Sequence, residues 1–212
     1  MVSQTAEPIV YQGQFGEFTV DDHDRRGVVV YRGGLMVAAV SFAIATLLVF
    51  LHASPTAITA LYWLFWVALG VSLFTIHIYL APLHRALQAF WAIGGIASLG
   101  IAVQSSEPLA LYVFHHAIAL LGVGFTFAAL TGIFFKEAFC FNRLETKFLT
   151  PLVPALLLGH LSGLLPVQWE QQLLGGWAVL FLVFAIRKVI QPIPPDIGDK
   201  SVFEYLEKER SR

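Results

Sequence analysis

Six stretches of this chain are long, apolar and almost free of Asp, Glu, Lys and Arg, and that repetition constrains the fold more than any motif does. A helix that crosses about 30 Å of hydrocarbon needs roughly 20 mostly apolar residues at 1.5 Å each. Runs of that kind fall at about 35–52, 57–80, 86–104, 109–135, 148–165 and 171–188. The first and sixth are the shortest, and the sixth meets charge only at Arg187 and Lys188. A closed barrel is the other structure that can satisfy its backbone in lipid, but its strands alternate polar and apolar residues, and these runs do not. The sequence therefore predicts an all-α membrane protein with six transmembrane helices. Composition agrees: 57% of residues are hydrophobic and 13% charged, with a mean hydropathy of +0.72, whereas a soluble domain carries about 25% charge. Breakers punctuate the runs at Ser54-Pro55-Thr56, Pro82, Ser105-Ser106-Glu107-Pro108 and Pro166-Val167-Gln168-Trp169-Glu170.

The basic residues set the orientation. Lys and Arg near span ends accumulate on the cytoplasmic side. All thirteen lie in the N-terminal segment (Arg25, Arg26, Arg32), after the second run (Arg85), after the fourth (Lys136, Arg143, Lys147), or from the end of the sixth onward (Arg187, Lys188, Lys200, Lys208, Arg210, Arg212). The three intervening loops hold none. A span miscounted by one would break this segregation, so charge supports the count separately from hydropathy and predicts both termini in the cytoplasm. The net charge of −1 carries no basic footprint for nucleic acid. The lone cysteine, Cys140, forms no intrachain disulfide. Residues 1–34 contain no apolar stretch of the signal-peptide kind, so the first run is expected to act as targeting signal and first span together.

Outside the runs, 1–34 is too short for its own core; Ile9-Val10-Tyr11 and Val28-Val29-Val30-Tyr31, broken by glycines, fit a small β-hairpin that needs a surface to pack on. Asp21-Asp22-His23-Asp24 lacks the ligand spacing of a calcium loop and reads as a solvated acidic turn. Residues 191–212 read as a Pro-rich linker followed by a short charged helix from Ser201, with Phe203 and Leu206 facing the membrane surface and Glu204 and Lys208 paired at i, i+4. Between the fourth and fifth runs, 136–147 holds no Pro or Gly. On one helix at 100° per residue, Lys136, Arg143 and Lys147 fall within about 40° of arc, opposite Phe134, Ala138, Phe141, Leu144 and Phe148. That is the pattern of an interfacial amphipathic helix whose basic stripe contacts anionic lipid or a protein partner, or serves only as the inner-side anchor.

Histidines are the remaining polar groups at membrane depth. His115 and His116 lie in the outer part of the fourth run and His160 in the outer part of the fifth, at similar distances from Pro108 and Pro166. His115 continues a stripe of small residues, Ala119, Gly122, Thr126 and Ala129, and His160 adjoins Ala155, Gly159 and Gly163, so close helix approach is expected there. Three readings stay open: hydrogen bonds between helices, a transition-metal site completed by His116 or His52, and axial ligation of a haem. No carboxylate is expected at that depth to support a metal, and His77 and His84 lie at one helix end, where they do not form a second haem-ligating pair. No catalytic residue is assigned: GxSxG, HExxH, P-loop and dinucleotide fingerprints are all absent from the sequence. A small-solute transporter is a further alternative, since six spans admit an inverted repeat, although no acidic residue lies inside a run.

Ile76-His77-Ile78-Tyr79-Leu80 with Pro82, and Thr131-Gly132-Ile133-Phe134-Phe135-Lys136-Glu137-Ala138-Phe139-Cys140-Phe141 running on to Pro154 and His160, resemble an uncharacterised family of integral membrane proteins found mainly in cyanobacteria. The resemblance spans about residues 30–190. It implies a plasma or thylakoid membrane location and is compatible with an accessory or assembly role beside a larger membrane complex. The leading expectation is a non-enzymatic membrane protein, with no cofactor, that engages a partner complex or lipid through its cytoplasmic face.

Overall fold

The computed structural model describes residues 10–78 and 80–202 together with Tyr205 and Lys208. It opens with an antiparallel hairpin, β1 Val10–Gln12 and β2 Glu17–Thr19, in the register Val10↔Thr19, Tyr11↔Phe18 and Gln12↔Glu17. Asp21 then caps a long helix, α1 Asp22–Phe50. Its carboxylate accepts the Asp24 N–H at 2.8 Å while Asp24 accepts the Asp21 N–H at 3.1 Å, a reciprocal capping box. The acidic turn at 21–24 is thus a helix start, and α1 begins well before the apolar run at Leu35, with Arg25, Arg26 and Arg32 on its first turns.

Prolines open α2 Pro55–Thr75 and α3 Ala81–Gln104 within the first turn, where the missing N–H is not needed. Helix α2 stops at Thr75, short of the boundary hydropathy draws, and Ile76 is extended. The fourth run is not one helix. It divides into α4 Leu109–His115, a 3₁₀ turn at Ala117–Ala119, and α5 Leu120–Phe141. Asn142 then adopts φ 52°, a left-handed turn that ends α5 before α6 Leu144–Ser162. Helices α7 Val167–Ile190 and the short α8 Pro194–Ile197 complete the chain. Described positions after Val202 are helical at Tyr205 and Lys208. Phe203, Glu204 and Leu206, to which sequence assigns a membrane contact and an ion pair, lie outside the described residues.

Among the described residues, five helical stretches are long and apolar enough to cross a membrane: α1, α2, α3, 117–141 and α7. Helix α6 falls short of that standard because it carries Glu145, Lys147, Pro151, Pro154 and His160. It is nonetheless built into the bundle, packing between α5 and α7 with Leu149 fully buried. Helix α1 packs against α2 and α7, and α5 against α3 and α6. Leu35, Ala38 and Ala39 meet Leu69, Leu73, Leu130, Ile133, Phe134, Phe181 and Phe184 in one core.

Small residues set the closest approaches, as expected where lipid removes the hydrophobic drive between helices. Trp66 of α2 and Trp91 of α3 stack at 4.3 Å between centroids, with an interplanar angle of 8°. Each indole N–H donates to the other's carbonyl, at 3.1 and 2.8 Å. Trp66 lies over Gly95 and Trp91 over Gly70, so a Cβ at Gly95 would come 2.3 Å from the Trp66 ring. The repeated Trp-x₃-Gly spacing on antiparallel helices makes this clasp reciprocal.

The described segments nearest the two termini, 10–24 and 193–201, meet at one end of the bundle, here called proximal. Tyr11, Phe18, Val20 and Val28 pack with Ile193 and Ile197. The Gln14 N–H donates to Asp199 at 2.6 Å, the Phe15 N–H to the Ser201 hydroxyl at 3.0 Å, and Lys200 pairs with Asp24 at 2.7 Å. The Ser201 hydroxyl donates to Asp199 at 2.6 Å, and this bond first, then that from the Gln14 N–H, holds the Asp199 carboxyl below its usual range.

Candidate functional site

Polar chemistry concentrates at two places, one at each end of the bundle. At the proximal end, Glu137 on the last turn of α5 and Lys188 near the end of α7 are both 0% exposed and pair at 2.6 Å. Lys188 also pairs with Asp196 of α8, and Asp196 in turn binds the Arg32 guanidinium at 2.7 and 2.8 Å. The second Glu137 oxygen accepts from Lys136 at 2.9 Å and from the Tyr31 hydroxyl at 3.2 Å. Arg32 donates further to the carbonyls of Gln191 at 2.5 Å and Pro192 at 2.9 Å. These carbonyls follow the end of α7, where Pro192, Pro194 and Pro195 have no N–H to cap anything. The Phe141 ring lies 4.1 Å from the Lys188 ammonium, adding a cation–π contact. The cluster joins α1, α5, α7 and the tail.

The sequence reading places Lys136 on a basic stripe, Lys188 at the inner end of the sixth run and Arg32 before the first, and assigns Glu137 and Asp196 no role. Helical phase carried the missed signal. Glu137 continues the buried stripe of Thr126, Ala129, Leu130, Ile133 and Phe134, and Lys188 continues Trp177, Phe181 and Phe184.

The basic stripe expected over 136–147 is corrected in the same way. The turn at Asn142 puts Lys136 on α5 and Lys147 on α6, with Arg143 as the residue before α6. Lys136 is spent on Glu137. Arg143 is largely buried, 3.6 Å from Glu145, and donates to the Gln191 side chain. Arg187 takes the other Glu145 oxygen at 2.7 Å. Lys147 alone of the three is exposed. On the helix ends that flank the α5–α6 turn, Phe139 (84%), Leu144 (67%) and Phe148 (61%) are exposed as well.

At the distal end lies a cavity of about 630 Å³. The break at His116 creates its setting: α4 packs on α2, and the Ala110 N–H donates to the Thr59 hydroxyl at 3.1 Å. Space remains between α1, α2, α4, α5, α6 and α7, walled by Phe42, Tyr62, Phe65, Phe114, Phe127 and Trp177 among others. His160 and Glu170 stand in this wall and pair at 2.9 Å. Trp177 is buried, and its indole N–H has no acceptor among the described residues.

The predicted histidines do not converge. His160 stacks on Phe114 at 5.8 Å. His115 is 48% exposed by side chain and sits 3.6 Å from Glu107. His116 is exposed, its ring nitrogen 3.1 Å from the Tyr112 carbonyl. The small-residue stripe runs on without His115: Thr126 receives Gly94 of α3, while His115 ends α4 beyond the break. Carboxylates do lie beside the histidines, contrary to expectation: Glu107 comes from the α3–α4 loop and Glu170 from the first turn of α7. Among the described residues, no three His, Cys, Asp or Glu side chains come together in a way that would hold a metal ion.

Similarity to other proteins is consistent with a membrane location. A relative from Haemophilus influenzae, described only as an uncharacterized protein, is 31% identical over 188 residues, covering 87% of this chain and 94% of its own length. No solved structure matches the chain. The family model described as "Uncharacterized integral membrane protein (DUF2301)" matches residues 71–205, more than half of the chain, and the protein belongs to that family.

Proposed function

We propose that the protein is a non-enzymatic membrane protein with six spans and both termini in the cytoplasm, acting as an accessory or assembly factor for a larger membrane complex. The proposed setting is the plasma membrane or, in a cyanobacterial host, the thylakoid. The contact between the N-terminal hairpin and the segment after α7 favours an even number of crossings. Five apolar helices and α6 make six, and the 19 residues of α6 span about 28 Å. Every basic residue then falls on the cytoplasmic side, as the positive-inside rule asks.

The observation that carries the partner reading is the α5–α6 turn. Most charges around it are consumed internally, yet it presents Phe139, Leu144 and Phe148 beside the exposed Lys147. An apolar patch rimmed by one cation suits a partner with an apolar groove and a nearby carboxylate. A solute transporter, by contrast, calls for a polar midplane cavity, and the cavity here is walled chiefly by apolar side chains. Gentle solubilisation of native membranes should release the protein in a larger complex that the double substitution Phe139→Asp, Lys147→Glu disrupts. Migration solely as a monomer or homodimer at every detergent strength would refute the reading.

A further inference from the structure

The distal cavity is independent of the cytoplasmic face and has its own chemistry. Its volume of about 630 Å³ lies within the range of small-molecule sites, roughly 300–1,000 Å³. An apolar void that large carries a heavy stability cost if left empty. In a membrane an acyl chain is the default filling, and one group argues for something more specific. Trp177 is 2% exposed, lines the cavity, and leaves its indole N–H without an acceptor. A buried donor left unpaired is costly, and an acyl chain offers it nothing. Phe42 and Phe127 hold the indole in place at 4.4 and 5.4 Å between centroids. At the rim, Glu170 holds one nitrogen of His160 and leaves the other ring nitrogen for a second polar contact.

We infer that this cavity binds an uncharged, lipid-soluble molecule with an apolar tail and a ring carbonyl, the carbonyl accepting the Trp177 indole N–H. The aromatic wall suits a flat ring. No cationic group is needed on the ligand, because the wall's one carboxylate is already hydrogen-bonded to His160 at 2.9 Å.

The test uses the full chain in nanodiscs, with calorimetric titration of decylubiquinone as the carbonyl-bearing probe and decylbenzene as its carbonyl-free counterpart. Saturable binding of decylubiquinone, clearly tighter than decylbenzene, is expected. Trp177→Phe keeps the ring, removes the donor, and should weaken decylubiquinone about tenfold, as loss of one hydrogen bond does, while leaving decylbenzene unchanged. Ala45→Phe, which fills the cavity from α1, should abolish binding of both probes, and it decides the matter if Trp177→Phe fails to fold. The inference is overturned if no saturable binding occurs, if the two probes bind the native protein alike, or if decylubiquinone binds the well-folded Trp177→Phe protein as tightly as the native one. It is overturned equally if Ala45→Phe leaves binding intact.

Discussion

Replacing Glu137 with Gln is the sharpest single perturbation of the proximal end. Three cations, Arg32, Lys136 and Lys188, face two carboxylates, Glu137 and Asp196. Glu137→Gln leaves Lys188 and Arg32 to share Asp196, with Lys188 still fully buried, and removes the carboxylate that Lys136 pairs with. Breaking a buried ion pair from one side costs about 3–5 kcal/mol, because the remaining charge stays desolvated and uncompensated. For a chain of this size each kcal/mol shifts the melting temperature by about 2–4 °C, so a fall of about 6–20 °C is expected. Lys188→Met acts differently. It leaves two cations on two carboxylates, Lys136 with Glu137 and Arg32 with Asp196, and should cost about 1–3 kcal/mol. The double variant retains the Arg32–Asp196 pair, and Lys136, already partly exposed, can turn to water. It should therefore melt above Glu137→Gln alone, which requires the coupling to exceed the cost of Lys188→Met by itself, about 2–3 kcal/mol. Thermal unfolding in a single mild detergent, followed by circular dichroism, measures all three. A Glu137→Gln protein melting within 2 °C of the native one, or below which the double variant also falls, would refute the cluster as drawn.

Three further outcomes follow from local geometry. Gly95→Ala sets a Cβ 2.3 Å from the Trp66 ring and should cost about 1–3 kcal/mol, whereas Gly100→Ala meets nothing within 4 Å and should be neutral or stabilising by thermal unfolding. Asn142→Gly should preserve stability at φ 52°, while Asn142→Val should lose about 1–2 kcal/mol in the same assay. His77, in the segment after α2, is partly buried, and desolvation holds its pKa below the ordinary 6.5. The unfolded chain therefore takes up that proton first. Stability should fall as pH drops from about 7 to 5, and a His77→Gln protein should show a smaller fall over the same melting series.

Much of the architecture was legible because lipid makes one demand of every helix. Apolar length located the helices, and prolines 55, 82, 108 and 166 marked where they restart. Hydropathy missed what it averages away. It merged α4 with α5 because His115 to Ala119 is apolar enough to read as continuous helix, and it began α1 at Leu35 because it scores charge rather than capping. The candidate sites were less accessible for a related reason. Lys136, Glu137, Arg143 and Lys188 look like anchors in sequence, and only helical phase distinguishes a buried charge from a solvated one. The pairing of Lys188 with Asp196, and of Arg32 with the carbonyls of the Pro-rich segment, depends on a tail folding back over the bundle. His160 was found by composition, but its carboxylate partner arrives from the first turn of the next helix, and Trp177 has no polar neighbour in sequence to mark it.

The membrane threading turns on whether α6 crosses. The most direct measurement is site-directed cysteine labelling of intact cells, with Cys140 first replaced by Ser. Asp22→Cys and Lys147→Cys should react with a membrane-impermeant maleimide only after the cells are opened, and Ser106→Cys and Gln168→Cys should react in intact cells. Labelling of positions 147 and 168 from the same side would contradict six spans and, with them, the cytoplasmic placement of the α5–α6 turn.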